Sequence, residues 1–348
     1  MAFFTETLGM VLVRVYPADD PATAVVAGHG VTVRLQRGAD GMAGTMVLRV
    51  ADPDAVADGE RAILAPNGCR IRLEHAAPPL VVPPVLPELV VTRAGATDAW
   101  GVGRAGMAYR DLIPSRLGGA VIASHIRIPG GGEVPDSVHF HDVSFQLIYC
   151  YRGWVEVVYE DQGPPFRLTA GACVIQPPLI RHRVLRASSD LEVIELGVPA
   201  EHMTTIDHDL TLPTSAHLPK RRFSGQAFVH FTPSQAVWAP ARIPGLAACD
   251  TGVAAATLGK ASVSIVAHPA VGDRVTSTPR LHHSADILFT FVLDGSLTLS
   301  TPSRTDSLAA GDAFLVPAGM PSSLCDLSDD LQLLEVALPG VFDSEAVV

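Results

Sequence analysis

Apolar and polar residues alternate, or form short apolar runs, in many brief segments along the chain. Examples are VTVRLQ from Val31, AVIASHIRI from Ala120 and VEVVYE from Val155. Glycine and proline are frequent between these segments, with 30 and 28 copies among 348 residues. Many short strands separated by such turns are typical of β-sandwiches and β-barrels. The pattern therefore predicts a mainly β protein.

The first 76 residues have their own pattern. It predicts a short helix, four strands and a turn, namely Thr5–Leu8, then Met10–Val15, Val31–Leu35, Thr45–Val50 and Arg70–Leu73, with the turn at Ala65–Gly68. Residues 77–99 are rich in proline and predict an extended, semi-rigid linker. The sequence thus predicts a small α+β module at residues 1–76, followed by a linker.

The rest of the chain repeats one order of features. Each pass has a tryptophan, an apolar strand, a histidine-containing strand that leads to a glycine turn, and a closing apolar strand. The passes start at Trp100 and Trp238, and their closing strands are Leu191–Leu196 and Leu331–Val336. A repeat of this length indicates duplication of a whole barrel. We predict barrels at residues 100–205 and 238–348, joined by a connection at 206–237.

Charge and cysteine content limit the classes of partner. The formal net charge is −11 and there is no long basic run, so nucleic acid is not an expected partner. No apolar run is long enough to cross a bilayer, so membrane insertion is not expected. The five cysteines form no CxxC pair and predict reduced thiols in a cytoplasmic protein.

Three histidines provide the candidate chemistry. His139 and His141 stand two positions apart on a predicted strand, so both point to the same face. His182 follows a later turn and could complete a set of three imidazoles around one divalent ion. Gln146 could offer a neutral amide oxygen to the ion or hydrogen-bond a water bound to it. Three neutral histidines leave the full charge on the metal, which favours anionic oxygen ligands.

These residues resemble the two motifs of the cupin superfamily. Gly130–Gly132, His139, His141 and Gly153 match the first motif, with Gln146 where an acidic residue usually stands. Gly171, Pro177 and His182 match the second motif, with Leu179 in place of its second glycine. The resemblance covers roughly residues 100–340 and implies two tandem cupin (jelly-roll) barrels. It implies a metal held by His139, His141, His182 and, as a further ligand, Gln146.

The second repeat departs from that motif. Its corresponding positions are Leu281, His283, Leu288 and Ser322, so only one candidate ligand remains. The turn residues Gly295 and Pro317 are kept. Two leucines and a serine do not bind a transition metal. We predict a structural second barrel without a metal.

The N-terminal module resembles one unit of the glyoxalase (vicinal-oxygen-chelate) superfamily. The resemblance rests on residues 4–10 and 66–73. The acidic ligand of that family falls at Arg72, and a cation there opposes metal binding. A structural or dimer-forming appendage is therefore the favoured interpretation.

The cupin resemblance implies a metal-dependent enzyme, and an oxygenase is the favoured hypothesis. Its small substrate would be enolizable, phenolic or diketone-like. Iron is the favoured metal, with nickel, zinc, copper and manganese as alternatives. An oxygen-independent isomerase, cyclase or lyase and a non-catalytic small-molecule-binding cupin remain as alternatives. The expected partners are the substrate and a second copy of the chain in a homodimer.

Acidic residues near the end of the first barrel offer a candidate base. Glu192 and Glu195 are three positions apart on a predicted strand and should point to opposite faces. One of them should therefore enter the barrel, and the predicted catalytic residues are Gln146 and Glu195. His202 and His208 follow the barrel and are interpreted as loop residues.

Overall fold

The computed structural model describes residues 1, 5, 10–28, 31–37, 44–55, 60–64, 70–76, 78–95, 100–103, 106–272 and 274–347. The predicted helix beyond Thr5, the predicted turn at Ala65–Gly68 and Cys69 lie outside these residues. The other four cysteines are free thiols, and three of them are buried. Among the residues that the structure describes, no helix is long and apolar enough to cross a bilayer.

The N-terminal part of the chain forms strands. They are β1 (Val11–Tyr16), β2 (Thr23–Gly28), β3 (Val31–Gln36), β4 (Thr45–Val50), β5 (Ala62–Leu64) and β6 (Arg70–His75), with a 3-10 turn at Pro53–Ala55. The strands β2 and β5 were not predicted. Strand β6 pairs in parallel with β4 and antiparallel with β5. The described residues of this part contain no α-helix, and the glyoxalase-like interpretation of the module is not confirmed.

The first barrel follows a strand in the predicted linker. The linker strand is β7 (Val90–Thr92), and the barrel strands are β8 (Gly101–Val102), β9 (Ala108–Asp111), β10 (Ile122–Arg127), β11 (Gly132–Glu133), β12 (His139–His141), β13 (Phe145–Arg152), β14 (Trp154–Tyr159), β15 (Phe166–Thr169), β16 (Cys173–Ile175), β17 (His182–Ala187), β18 (Glu192–Val198) and β19 (Thr204–Ile206). A 3-10 turn spans Arg116–Gly119.

The connection and the second barrel complete the chain. Their strands are β20 (Arg222–Phe223), β21 (Gln226–Ala227), β22 (Val229–Phe231), β23 (Trp238–Pro240), β24 (Ala247–Asp250), β25 (Ser262–Ala267), β26 (Leu281–His283), β27 (Ile287–Asp294), β28 (Ser296–Ser300), β29 (Thr305–Ala309), β30 (Ala313–Leu315), β31 (Ser323–Cys325), β32 (Gln332–Leu338) and β33 (Ser344–Ala346). A 3-10 turn spans Pro233–Gln235, and α1 is the single turn Val253–Ala256. The mainly β fold is confirmed.

Two sheets enclose the first barrel. One runs in the order β15-β14-β17-β12-β19-β1-β2-β3, and the other runs β22-β16-β13-β18-β10-β9-β8. In the second barrel the long sheet is β23-β24-β25-β32-β27-β30-β7. Strand pairing therefore crosses the predicted domain boundaries. Strands β1–β3 extend a sheet of the first barrel, and β7, in the predicted linker, joins the long sheet of the second barrel.

Alternation along β13 explains how the first barrel packs. Phe145, Leu147 and Tyr149 lie in an apolar cluster that also contains Phe289 and Phe291 of the second barrel. Ile148 and Cys150, on the opposite face of β13, pack in the interior of the first barrel. The sheet is thus buried on both faces, which accounts for its nearly continuous run of apolar residues.

A polar network lies in this apolar junction. The Arg110 guanidinium donates to His125 Nδ1 at 3.0 Å and to the carbonyl of Gly311, in the second barrel, at 2.7 Å. His125 Nε2 lies 2.5 Å from a carboxylate oxygen of Glu192. Burial lowers the pKa of His125, which agrees with a neutral ring that accepts at Nδ1 and donates at Nε2. The network ties the two barrels together.

Replacing Arg110 should weaken this junction. Arg110→Met leaves the buried acceptors on His125 and Gly311 without their donor, so we expect a loss of about 2–4 kcal/mol in the free energy of unfolding. Urea denaturation measures this loss. Arg152→Met is the matched control, because Arg152 also faces Glu192, at 3.6 Å, but its side chain is 57% exposed. For Arg152→Met we expect a loss of about 1 kcal/mol or less. Equal losses in the two variants would contradict the conclusion that Arg110 holds the two barrels together.

Candidate metal centre

Two neighbouring strands bring the three predicted histidines together. His139 and His141 are on β12, and His139 pairs in register with His182 at the start of β17. All three are buried, and one nitrogen from each lies within 4.8 Å of the other two. The predicted three-histidine cluster is therefore present.

Hydrogen bonds fix the orientation of each ring. His139 Nδ1 lies 2.7 Å from the carbonyl oxygen of Ser137, and His182 Nδ1 lies 3.0 Å from that of Ile180. Carbonyl oxygens only accept, so both Nδ1 atoms carry the proton. His141 Nδ1 lies 3.0 Å from the Thr204 hydroxyl. For His139 and His182 this arrangement makes Nε2 the nitrogen that could bind a metal, and such outer hydrogen bonds are usual for histidine ligands.

Neighbouring groups reinforce the cluster. A carboxylate oxygen of buried Asp136 lies 3.6 Å from His139 Nδ1. The Tyr159 ring stacks on His182 with ring centroids 5.5 Å apart. Tyr159 accepts a hydrogen bond from Gln176 at 2.9 Å. Burial raises the pKa of the Tyr159 phenol, so it stays protonated.

Removing the hydroxyl behind His141 should lower metal affinity. Thr204→Val keeps the shape of the side chain and deletes the contact with Nδ1, so we expect about tenfold weaker metal binding. Competition with a metal chelator measures the change. Thr205→Val is the matched control because Thr205 is the next residue on β19 and points to the opposite face. The role of Thr204 would be refuted if both variants retained the wild-type affinity.

The histidines face a cavity of about 100 Å³. Its wall is mostly apolar, with Ile122, Ile126, Ile148, Val157 and Val193 among its residues. The polar groups on the wall are the three histidines together with Asp19, Tyr109, Ser124, Tyr159, Gln176, Glu195 and His202. Few polar groups on an apolar wall are typical of a small-molecule site.

The two predicted catalytic residues are in contact. The Gln146 amide nitrogen donates to a carboxylate oxygen of Glu195 at 2.5 Å. Glu195 contacts the cavity, whereas Gln146 is 1% exposed and lies behind the wall. Its amide oxygen is buried and has no hydrogen-bond partner among the residues that the structure describes. Glu192 points to the other face of β18, toward His125. A role for Gln146 as a metal ligand remains a prediction.

His202 is a residue of the site that the sequence did not reveal. It lies in the loop before β19, as predicted, but its ring centroid is 5.4 Å from that of His141 and it lines the cavity. Gly197 on β18 makes room for it, since a Cβ there would lie 3.2 Å from His202 Cε1. The approach is tertiary, so no local spacing could have indicated it.

The second barrel lacks a comparable cluster in the residues that the structure describes. His283 is buried, and its Nε2 lies 2.9 Å from the carbonyl of Val316. Glu335, at the position of Glu195, forms a half-buried ion pair with Arg242. Both partners lie on the wall of a cavity of about 30 Å³ in the second barrel, which is smaller than the cavity of the first barrel.

The fold is that of a two-barrel cupin-like protein, and the residues that the structure describes contain one three-histidine cluster. Two structures of salicylate 1,2-dioxygenase from Pseudoaminobacter salicylatoxidans, a bicupin, are similar to this chain. The gentisate adduct has 16% identity and a TM-score of 0.55, covering 76% of this chain and 87% of that one. Another structure of this enzyme has 15% identity and a TM-score of 0.54, covering 77% and 90%.

A further similar structure is that of protein Ylba from E. coli. It has 10% identity and a TM-score of 0.50, covering 74% of this chain and 93% of that one. No family model and no curated protein matches the sequence. At these identities the likeness supports the cupin-like fold, and the chemistry must be argued from the site.

Proposed function

We propose that this protein is a metal-dependent cupin oxygenase that acts on a small oxygen-bearing organic substrate. The observation that carries the proposal is the buried cluster of His139, His141 and His182, whose Nδ1 atoms are all held by outer partners. Three imidazoles fit a divalent transition metal, and iron is the proposed ion. When bound, the metal would supply Lewis acidity and positions for substrate oxygens and dioxygen.

The protein residues would bind and deprotonate the substrate. The apolar wall excludes water, which strengthens polar contacts inside the cavity. Glu195 would take the proton of an enol or hydroxyl group of the substrate onto a carboxylate oxygen. The Gln146 amide, through its 2.5 Å hydrogen bond, holds that carboxylate in place.

Cavity size narrows the substrate class. The cavity beside the histidines measures about 100 Å³, which is below the roughly 300–1,000 Å³ of sites for drug-sized ligands, so we infer a substrate of few non-hydrogen atoms. The predicted homodimer stays a prediction.

The carboxylate on the wall also favours a second candidate function. Glu195 could move a proton between two positions of a substrate without oxygen, as an isomerase or lyase requires. The oxygenase and this alternative differ in whether dioxygen is consumed.

Turnover with and without oxygen tests the proposal. Protein loaded with Fe(II) is mixed with acetylacetone and related small diketones, and oxygen uptake is recorded together with substrate loss. The oxygenase predicts one dioxygen consumed per substrate and no reaction under strict anoxia. Turnover that persists without oxygen would favour the isomerase or lyase, and stoichiometric metal without any turnover would favour a binding protein.

A further inference from the structure

A second and larger cavity lies beside the metal centre. It measures about 660 Å³ and is enclosed by strands β1–β3, by β4 and β6, by residues 78–81 and by the loop that holds His202. Small-molecule sites in proteins span about 300–1,000 Å³. The cavity therefore has the size of a ligand site.

Four arginines stand on its wall, namely Arg14, Arg34, Arg49 and Arg72. Glu74 forms ion pairs with two of them, at 3.7 Å from Arg49 and 3.1 Å from Arg72. The other acidic residues on the wall are Asp142 and Glu201. In a chain with a net charge of −11, this wall has more arginines than acids.

Arg14 and Arg34 differ from the two arginines that form ion pairs with Glu74. Both are in register with Val25, from β1 and from β3, so they flank it on one face of the sheet. The Nε atom of each is buried without a hydrogen-bond acceptor in the described part of the chain. The Glu201 carboxylate on the same wall accepts a hydrogen bond from Tyr16 and from neither of these Nε atoms. A buried guanidinium donor without an acceptor is costly, and an anion would satisfy it.

Most of the remaining wall residues are apolar, and the polar ones are Tyr16, Thr23, Thr32 and His202. The apolar residues include Val13, Val15, Val25, Val47, Leu80 and Met203. A small inorganic anion would leave this surface uncovered. An organic molecule with an anionic head and an apolar body matches both parts of the wall.

We propose that this cavity binds an amphipathic organic anion through Arg14 and Arg34, at a site separate from the metal centre. The head group is a carboxylate or a phosphate, since a guanidinium fork pairs with either. His202 lines both cavities. The bound anion would thus share a wall with the metal pocket.

Calorimetric titration of the full chain tests the proposal with three probes of equal length: octanoate, octyl phosphate and 1-octanol. Saturable binding of octanoate or octyl phosphate is expected, with 1-octanol bound at least tenfold more weakly. The tighter of the two anions identifies the head group. Octanol binding as tightly as both anions, or no saturable binding of either anion, would overturn the proposal.

Variants separate this site from general charge effects and from the metal. The double variant Arg14→Gln, Arg34→Gln should bind the anions about 10- to 100-fold more weakly, while Arg186→Gln, on an exposed strand position, should bind them as the wild type does. Equal loss in both variants would contradict the proposal. His182→Ala should leave anion binding unchanged. If it abolishes binding, the anion occupies the metal pocket and the second site does not exist.

Discussion

His182→Ala is expected to abolish metal binding, and His283→Ala is expected to leave it intact. His182 supplies one of three imidazoles in the cluster, and no other described His, Cys, Asp or Glu group forms such a set. Loss of an outer hydrogen bond alone costs about 10- to 100-fold in metal affinity, so loss of a ligand should exceed that. Metal content after dialysis, measured by mass spectrometry, should fall from one ion per chain to near zero.

His283 is a matched control for this prediction. It has the position of His141 in the second repeat and is also buried, at 4% exposure. Far-UV circular dichroism shows whether each variant folds, and His182→Gln offers a substitution of more similar volume. Equal metal loss in His182→Ala and His283→Ala would refute the single-site model.

Glu195→Gln is expected to lower kcat by about 100- to 10,000-fold while metal content is retained, because positioned proton transfer contributes that much. The amide keeps the shape of the side chain but removes the carboxylate that would accept the substrate proton. Steady-state kinetics on the substrate found in the oxygen test measures the change. Glu192→Gln is the matched control, since Glu192 lies on the same strand and faces His125 instead of the cavity.

The Gln146→Glu variant sharpens this test. It replaces the amide donor 2.5 Å from Glu195 by a second carboxyl group. Two carboxylates this close do not both ionise, so the pKa of one rises. The carboxylate form of the base would then be present only at higher pH, so the acidic limb of the pH–rate profile should shift to higher pH. An unchanged profile together with normal kcat in Glu195→Gln would exclude Glu195 as the base.

The sequence predicted the parts of the site that depend on local geometry. The two-residue period of a strand predicted that His139 and His141 share one face. It also predicted that Glu192 and Glu195 point to opposite faces of their strand. Residue types at the second repeat predicted its lack of ligands. His202 could not be predicted, because it reaches the cavity through the fold of a loop and the space at Gly197.

The division of the chain was harder to predict because strand pairing is non-local. The pairs β1 with β19 and β7 with β30 join segments far apart in sequence. Neither Val11–Tyr16 nor Val90–Thr92 contains a signal for its partner. The same distance hid the cavity between the N-terminal strands and the first barrel, since its arginines are scattered from residue 14 to residue 72.

The pairing of β7 also has a consequence for synthesis on the ribosome. Its partner β30 is about 220 residues further along the chain. At elongation rates of roughly 5–20 residues per second, β7 waits about 10–45 seconds for that partner. Strand β7 can therefore join the long sheet of the second barrel only after β30 has been synthesised, and this apolar strand stays unpaired in the nascent chain until then.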